Sequence, residues 1–332
     1  MYWKYWNWPG VHRNLPQSAE GRVRHWYTAN MGTVKPVQAG NGASSFLVTA
    51  LIYFLVTVPA VGQSMANGQE PGFLRFIPGD GEFAGELQTA VTTYRNEAGV
   101  EVDLVATVHL AEQTYYDGLN AYFSTRDAVL YELVAEENVR PDGSGRRGGT
   151  GVIGFLQTSM TNLLDLSYQL DVINYARPNF VHADLEPDEL DALMAAKGET
   201  LFSAFLALVL MELENLEQPG NAETDALLEL SLTDILRLFA RPDRQEAFRY
   251  LLARSLAASE GSLAAITGRG TTILDDRNGA ALEVLSEVLQ NPQLQRISIY
   301  YGAAHMTGLE QGLAELGFTR AGRNWLTAWT SG

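Results

Sequence analysis

Ile297-Ser-Ile-Tyr-Tyr-Gly302-Ala-Ala-His305-Met-Thr-Gly308-Leu-Glu310-Gln-Gly-Leu-Ala-Glu-Leu316 reads as a strand, a histidine and a helix with almost nothing between them. Four of its first six residues are β-branched or aromatic and the run closes on a glycine, the pattern of a buried strand that ends at a sharp backbone turn. Thr307 and Glu310 have capping-box spacing, which predicts a helix starting within two residues of His305, and Gly317 supplies its stop. In open α/β sheets, ligands bind at the carboxyl ends of the strands, so an imidazole pinned there is a candidate functional group. The plainer alternative is a histidine satisfied within a turn.

Upstream, residues 87–94 and 100–109 are two β-rich runs joined by Asn96-Glu97-Ala98-Gly99, a turn composition that predicts a hairpin. The second run ends on His109 much as the later one ends on His305, and a helix is expected from about residue 114 to 123. The run 128–134, Ala-Val-Leu-Tyr-Glu-Leu-Val, is an apolar strand with Glu132 in its middle. A lone carboxylate in a buried strand needs a cation, a metal or water beside it; on an edge strand it would face solvent. The glycine-rich text 140–151 lacks the order of a phosphate-binding loop and reads as a mobile surface loop, with a lid over the site as one role for it. From 152 to 289 apolar residues recur at helical spacing, notably in 153–170, 201–213, 227–239 and 247–256. A strand-like piece, Phe180-Val-His182-Ala-Asp184, interrupts them, and Pro187 marks the first turn of another helix. Residues 274–278 open the helix that leads back to the strand at Ile297. The text 318–328 predicts a closing strand or hairpin that turns at Gly322-Arg323-Asn324.

The 332 residues carry a net charge of −16 and no cysteine, which excludes disulfides, thiolate nucleophiles and cysteinyl metal sites. Residues 1–66 hold five Lys/Arg and one Asp/Glu, leaving 18 basic against 38 acidic side chains in the rest. Such a surface repels nucleic acid and anionic membrane. The apolar run 46–61, after a short polar lead and before small residues, has the form of a secretory signal peptide, with Met31 as the expected start. Export follows, with membrane attachment only if that run is an uncleaved anchor. The expected organisation is a leader over 1–66 and one domain over 72–329. Its fold class is α/β or α+β: a mixed central sheet flanked by helices, with a mostly helical insertion over about 152–289.

Beyond the leader only His109, His182 and His305 remain, each at or near a strand end. The shared layout of the first and last suggests two strands meeting in one sheet, with the two imidazoles across one crevice. With Glu132 they are N and O donors suited to a divalent Zn, Mn, Co or Fe that acidifies a bound water. A metal-free histidine and glutamate acid/base pair also supports hydrolysis.

Ala106-Thr-Val-His109, Leu130-Tyr-Glu132-Leu, Asp276-Arg277-Asn278 and Gly302-Ala-Ala-His305-Met-Thr-Gly308-Leu stand in an order that resembles the TraB/PrgY/GumN family, which includes the Tiki metallopeptidases. More distantly the chain is similar to erythromycin esterases and ChaN-like haem-binding proteins. The resemblance implies an EreA/ChaN-like fold and His109, Glu132 and His305 as metal or catalytic residues. Arg277 would bind substrate or stabilise developing negative charge. It makes His182 and Asp184 second-tier candidates. It departs from the family at Ala106, where the first G-x-x-H motif has glycine. The implied activity is exported, metal-dependent hydrolysis of a peptide or other small substrate. The alternative is a non-catalytic protein that captures a peptide signal or haem, and haem would show as a Soret band on titration.

Overall fold

The computed structural model describes residues 72–136, 138–144, 161, 163–200, 241–266 and 271–332. The expected leader with its apolar run, most of the glycine-rich loop and the helical texts at 201–213 and 227–239 lie outside them. Among the described residues no helix is long and apolar enough to cross a membrane.

Strand β1 (Leu74–Pro78) turns back into β2 (Gly85–Arg95), and β2 continues through Gly99, at φ +84°, into β3 (Glu101–Thr107). β2 and β3 pair antiparallel from Val91↔Val105 to Arg95↔Glu101, which is the expected hairpin. After the two-residue β4 (Leu110–Ala111) comes helix α1 (Gln113–Phe123), and then β5 (Ala128–Tyr131). β6 (Ser167–Tyr168) pairs with β4 and runs straight into the one-turn α2 (Gln169–Val172). β7 (Phe180–His182) and α3 (Pro187–Lys197) follow, the latter with proline at its start and a capping box between Glu186 and Glu189. The long α4 (Arg244–Ile266) precedes a π-helical turn, Thr272–Asp276, that leads directly into α5 (Arg277–Val288). β8 (Arg296–Gly302), a 3-10 turn (Ala303–His305), α6 (Met306–Glu315) and β9 (Thr319–Ser331) complete the chain.

Seven strands form one mixed sheet. β3, β8, β5 and β7 lie side by side and parallel, and antiparallel β2 and β9 extend the sheet beyond β3. Both faces of the parallel part are covered, so its strands are mainly apolar and alternate in which core they enter, with Asp103 of β3 and Ser298 of β8 among the buried polar exceptions. Val102, Leu104, Ala106, Leu130, Ile297, Ile299 and Tyr301 pack towards α5 and α6. Val105, Val129, Tyr131 and Tyr300 pack on the other face with α1, α4 and Trp329. β8 sits between β3 and β5, so the strand that ends in Gly302 is central in the sheet.

The helix after β8 opens with the 3-10 turn at Ala303, two residues before His305, as expected. Three expectations change. No Thr307–Glu310 box forms, because the Glu310 carboxylate accepts hydrogen bonds from Tyr94 (2.7 Å) and Arg320 (3.1 Å from Nε). Gly322 does not turn the chain: β9 is one continuous strand against β2. The register shift between Thr93↔Gly322 and Tyr94↔Arg320 is a bulge, the other reading of a glycine in a strand. The helix expected to reach Leu170 is broken at Asp165, whose φ of 49° is left-handed, and the chain then pairs as β6. The strand-like piece expected at 180–184 forms β7 and joins the main sheet.

Candidate functional site

The four parallel strands end at Thr107, Tyr131, His182 and Gly302, and the candidate residues stand within three positions of those ends. His109 is two beyond β3, Glu132 one beyond β5, Asp184 two beyond β7 and His305 three beyond β8. β3 and β8 pair residue for residue up to Thr107↔Gly302, so the two strands that lead to His109 and His305 do meet in one sheet.

The centre of the cluster is Arg277, which enters from the first turn of α5. Its Nε and Nη2 donate to the two oxygens of Asp184 at 2.9 and 2.7 Å, and Nη2 also donates to Glu132 Oε1 at 2.7 Å. A planar guanidinium with a forked donor set can hold two carboxylates at once, and lysine cannot. The Asp184 side chain is fully buried and that of Glu132 is 13% exposed, so this is a desolvated network. Burial alone would depress Arg277, yet the hydrogen bond to Asp184 and the charges of Glu132 and Asp184 raise it further. Tyr301 donates its hydroxyl to the Ala183 carbonyl and so ties the end of β7, with Asp184, to β8.

Glu132 Oε2 accepts the backbone N–H of Gly302 at 2.6 Å. A Cβ at position 302 would lie 3.2 Å from that oxygen, so a larger residue there would press on Glu132. The close approach belongs to the second motif alone. Ala106 lies one step back along β3, opposite Tyr301, with its side chain in the core, and this accounts physically for alanine in the first motif. The His305 Nε2 lies 3.5 Å from Glu132 Oε1 and 3.5 Å from Arg277 Nη1, and its Nδ1 is 2.8 Å from Asn278 Oδ1. Burial by itself would raise the Glu132 carboxyl. The charge and hydrogen bond of His305, then the charges of Arg277 and His109, outweigh it and hold the group well below the ordinary carboxylate range.

His109 is exposed, and its Nδ1 lies 3.2 Å from the side-chain oxygen of Gln169 on α2. His182 is turned away from the cluster: its Nε2–H donates to the Leu133 carbonyl at 2.6 Å and closes β7 onto the segment after β5. Of the six candidates the structure therefore gathers Glu132, Arg277, Asp184 and His305 into one hydrogen-bonded unit. It places His109 near enough to act on the charge of Glu132 and gives His182 a structural bond. Asn278 and Gln169 escaped the sequence reading. Asn278 had a signal, its place beside Arg277, whereas Gln169 lay in text that reads as helix and had none.

The donors near Glu132 are of the right chemistry for a divalent ion, but their arrangement does not fit one. The guanidinium of Arg277 lies against both Glu132 Oε1 and His305 Nε2, where an ion bound to that pair would sit. Among the described residues no three His, Asp or Glu side chains are grouped to hold an ion.

Compared with protein-family models, curated proteins and solved structures, the chain matches none. The site geometry and the motif resemblance are therefore what a functional reading rests on.

Proposed function

We propose that this chain is an exported hydrolase of the TraB/PrgY/GumN kind, with an EreA/ChaN-like fold, that directs water at a carbonyl carbon. A peptide bond is the first substrate to test. One observation carries the reading: at the ends of adjacent parallel strands the Glu132 carboxylate lies between the Arg277 guanidinium and the His305 imidazole, and the exposed His109 follows the end of β3, the neighbour of β8. A buried charge network of this kind contributes little net stability compared with a packed apolar core. Strongly perturbed carboxylates at strand ends are what functional sites require.

The electrostatics divide the roles. Glu132 is too weak a base to take a proton near neutrality, since two donors and the charges around it favour its ionised form. It anchors Arg277 and faces His305. His109 is the group open to solvent, and its Nε2 accepts the proton of the attacking water. Arg277 supplies the fixed cation for negative charge that develops on the carbonyl oxygen, and Asp184 holds the guanidinium in place. The metal-dependent form implied by the resemblance needs Arg277 to withdraw from Glu132 first.

A peptide-library cleavage assay on the purified protein tests the proposal. Cleavage is expected, with His109→Ala lowering turnover about 100-fold or more while circular dichroism is unchanged. Absence of cleavage of peptides and simple esters, or a His109→Ala variant as active as the parent, overturns it. N-terminal sequencing of the native protein checks the signal peptide: a chain that begins just beyond the run 46–61 shows cleavage, and one that keeps the run shows an anchor.

A further inference from the structure

The imidazole of His109 is exposed, yet its backbone and one ring nitrogen are held by a segment that arrives from the far side of the sheet. β6 pairs with β4 immediately after His109, through Leu110↔Tyr168 and Ala111↔Ser167, and the Gln169 N–H donates to the His109 carbonyl at 2.9 Å. Asn120 on α1 staples the same segment, with Nδ2 donating to the Val172 carbonyl at 2.9 Å and Oδ1 accepting the Asn174 N–H at 3.2 Å. Gln169 is thus fixed by backbone pairing before its side chain is considered.

The side chain has two contacts and both are specific. Nε2 is 2.7 Å from the hydroxyl of Tyr175, and Oε1 is 3.2 Å from His109 Nδ1. An amide nitrogen donates and an amide oxygen accepts. With the nitrogen committed to Tyr175, the group facing the imidazole is an acceptor, and Nδ1 has to carry a hydrogen. Gln169 is only 4% exposed and Tyr175 is fully buried, so water does not compete for these bonds. Because a phenol hydroxyl can donate as well as accept, the opposite amide orientation would give His109 the Nε2–H tautomer instead, and the ring tautomer reports which orientation holds. An amide oxygen also faces the Nδ1 of His305, that of Asn278 at 2.8 Å, but the Asn278 nitrogen has no hydrogen-bond partner and so is not committed as that of Gln169 is.

We propose that Gln169, seated on Tyr175, is a positioning residue that holds His109 in the Nδ1–H tautomer, so that Nε2 is the ring nitrogen presented to the site with a free lone pair. This rests on the role given to His109 above, since a base must offer an unprotonated nitrogen to the water it activates. It also assigns a task to the segment between β5 and β7: through β6 and α2 it supplies the partner without which His109 is a freely rotating surface histidine. Outer partners of functional imidazoles fix both tautomer and ring orientation, and losing one typically costs 10–100-fold in activity.

The test is nitrogen-15 NMR of the histidine rings in the full-length protein, with peptide hydrolysis measured alongside. The chain has five histidines, and a His109→Gln variant identifies the His109 signals by their loss. In the parent, neutral His109 is expected to show the Nδ1–H pattern. Gln169→Leu is expected to abolish that preference and to lower kcat about tenfold or more at nearly constant KM. Gln169→Glu, which keeps an acceptor facing Nδ1, is expected to retain the tautomer. An Nε2–H pattern in the parent overturns the proposal. So does a Gln169→Leu variant that loses thermal stability while its His109 tautomer stays as in the parent. Should Gln169→Leu fail to fold, the parent and Gln169→Glu spectra still decide. The ring spectra do not depend on turnover, so a parent that shows the Nδ1–H tautomer but no hydrolysis removes the hydrolase reading and leaves the positioning role standing.

Discussion

Glu132 shows how one carboxylate can be both essential and unreactive. Its oxygens accept from Gly302 N–H and Arg277 Nη2, and His305 stands 3.5 Å from Oε1, so ionisation is favoured although the side chain is largely desolvated. A carboxyl whose folded-state pKa lies below its unfolded value stabilises the fold above the unfolded value, about 4.3 for glutamate. That stability is lost as pH falls through the folded value. Glu132→Gln removes the contribution and leaves buried positive charge less well paired, so the variant should be less stable than the parent by about 3 kcal/mol near neutral pH. The gap should narrow as pH drops below about 4. Urea melts of both proteins across that range check it, and an unchanged gap at low pH would show that Glu132 is not held ionised. Arg277→Lys tests the other half of the network. It keeps one positive charge but cannot donate to Asp184 and Glu132 in the same plane, so turnover should fall at least tenfold with the charge conserved. Activity equal to the parent would mean that the fork is not needed.

At the scale of elements, the site depends on how loops are pinned as much as on strands. Gly143 has a φ of +70°, and a Cβ there would lie 2.6 Å from the Val172 carbonyl oxygen at the end of α2. Gly143→Ala therefore meets left-handed strain and a backbone clash together. It should destabilise the protein by about 1–3 kcal/mol, with the displaced α2 also perturbing the His109 ring signals. A stability within about 0.5 kcal/mol of the parent would mean that the segment adjusts freely. This pinning also marks the limit of what the sequence made legible. The strands β2, β3, β5, β7 and β8 were readable because apolar runs bounded by turn residues are local signals, and so was Pro187 at the start of α3. Glu132 and His305 could be picked out because a charge or an imidazole beside a buried run demands a partner, whereas Arg277 entered only through the motif resemblance. The β4–β6 pairing was not readable, since it joins two-residue strands more than fifty positions apart and leaves no period. Gln169 was hidden with it. The Glu310 box failed for a related reason: Tyr94 and Arg320 reach that carboxylate only in the folded chain, and no local pattern announces a tertiary competitor.

For the whole molecule, the order of the parallel strands decides what can meet. β8 lies between β3 and β5, so the groups that follow these three strands share one end of the sheet, and β7 adds Asp184 from the next position out. Arg277 comes from the face covered by α5 and α6, while Gln169 belongs to the segment that supports His109 from elsewhere in the fold. Two chemistries compete for such a convergence. A divalent ion could be held by the imidazoles and Glu132, as the resemblance implies, or the fixed cation of Arg277 could do the electrostatic work. The short bonds from Arg277 to Glu132 and Asp184 favour the second, because an ion would have to displace a guanidinium already satisfied by two buried carboxylates. Dialysis against a strong chelator should accordingly leave both turnover and the thermal midpoint of the parent unchanged. Elemental analysis should find less than one equivalent of Zn, Mn, Co or Fe bound to the active protein. If chelation removes activity and one of these ions restores it, Arg277 has yielded its place, and the metal-dependent mechanism holds. In that case Glu132→Gln should lower metal affinity as well as stability, since the amide lacks the charge a ligand supplies.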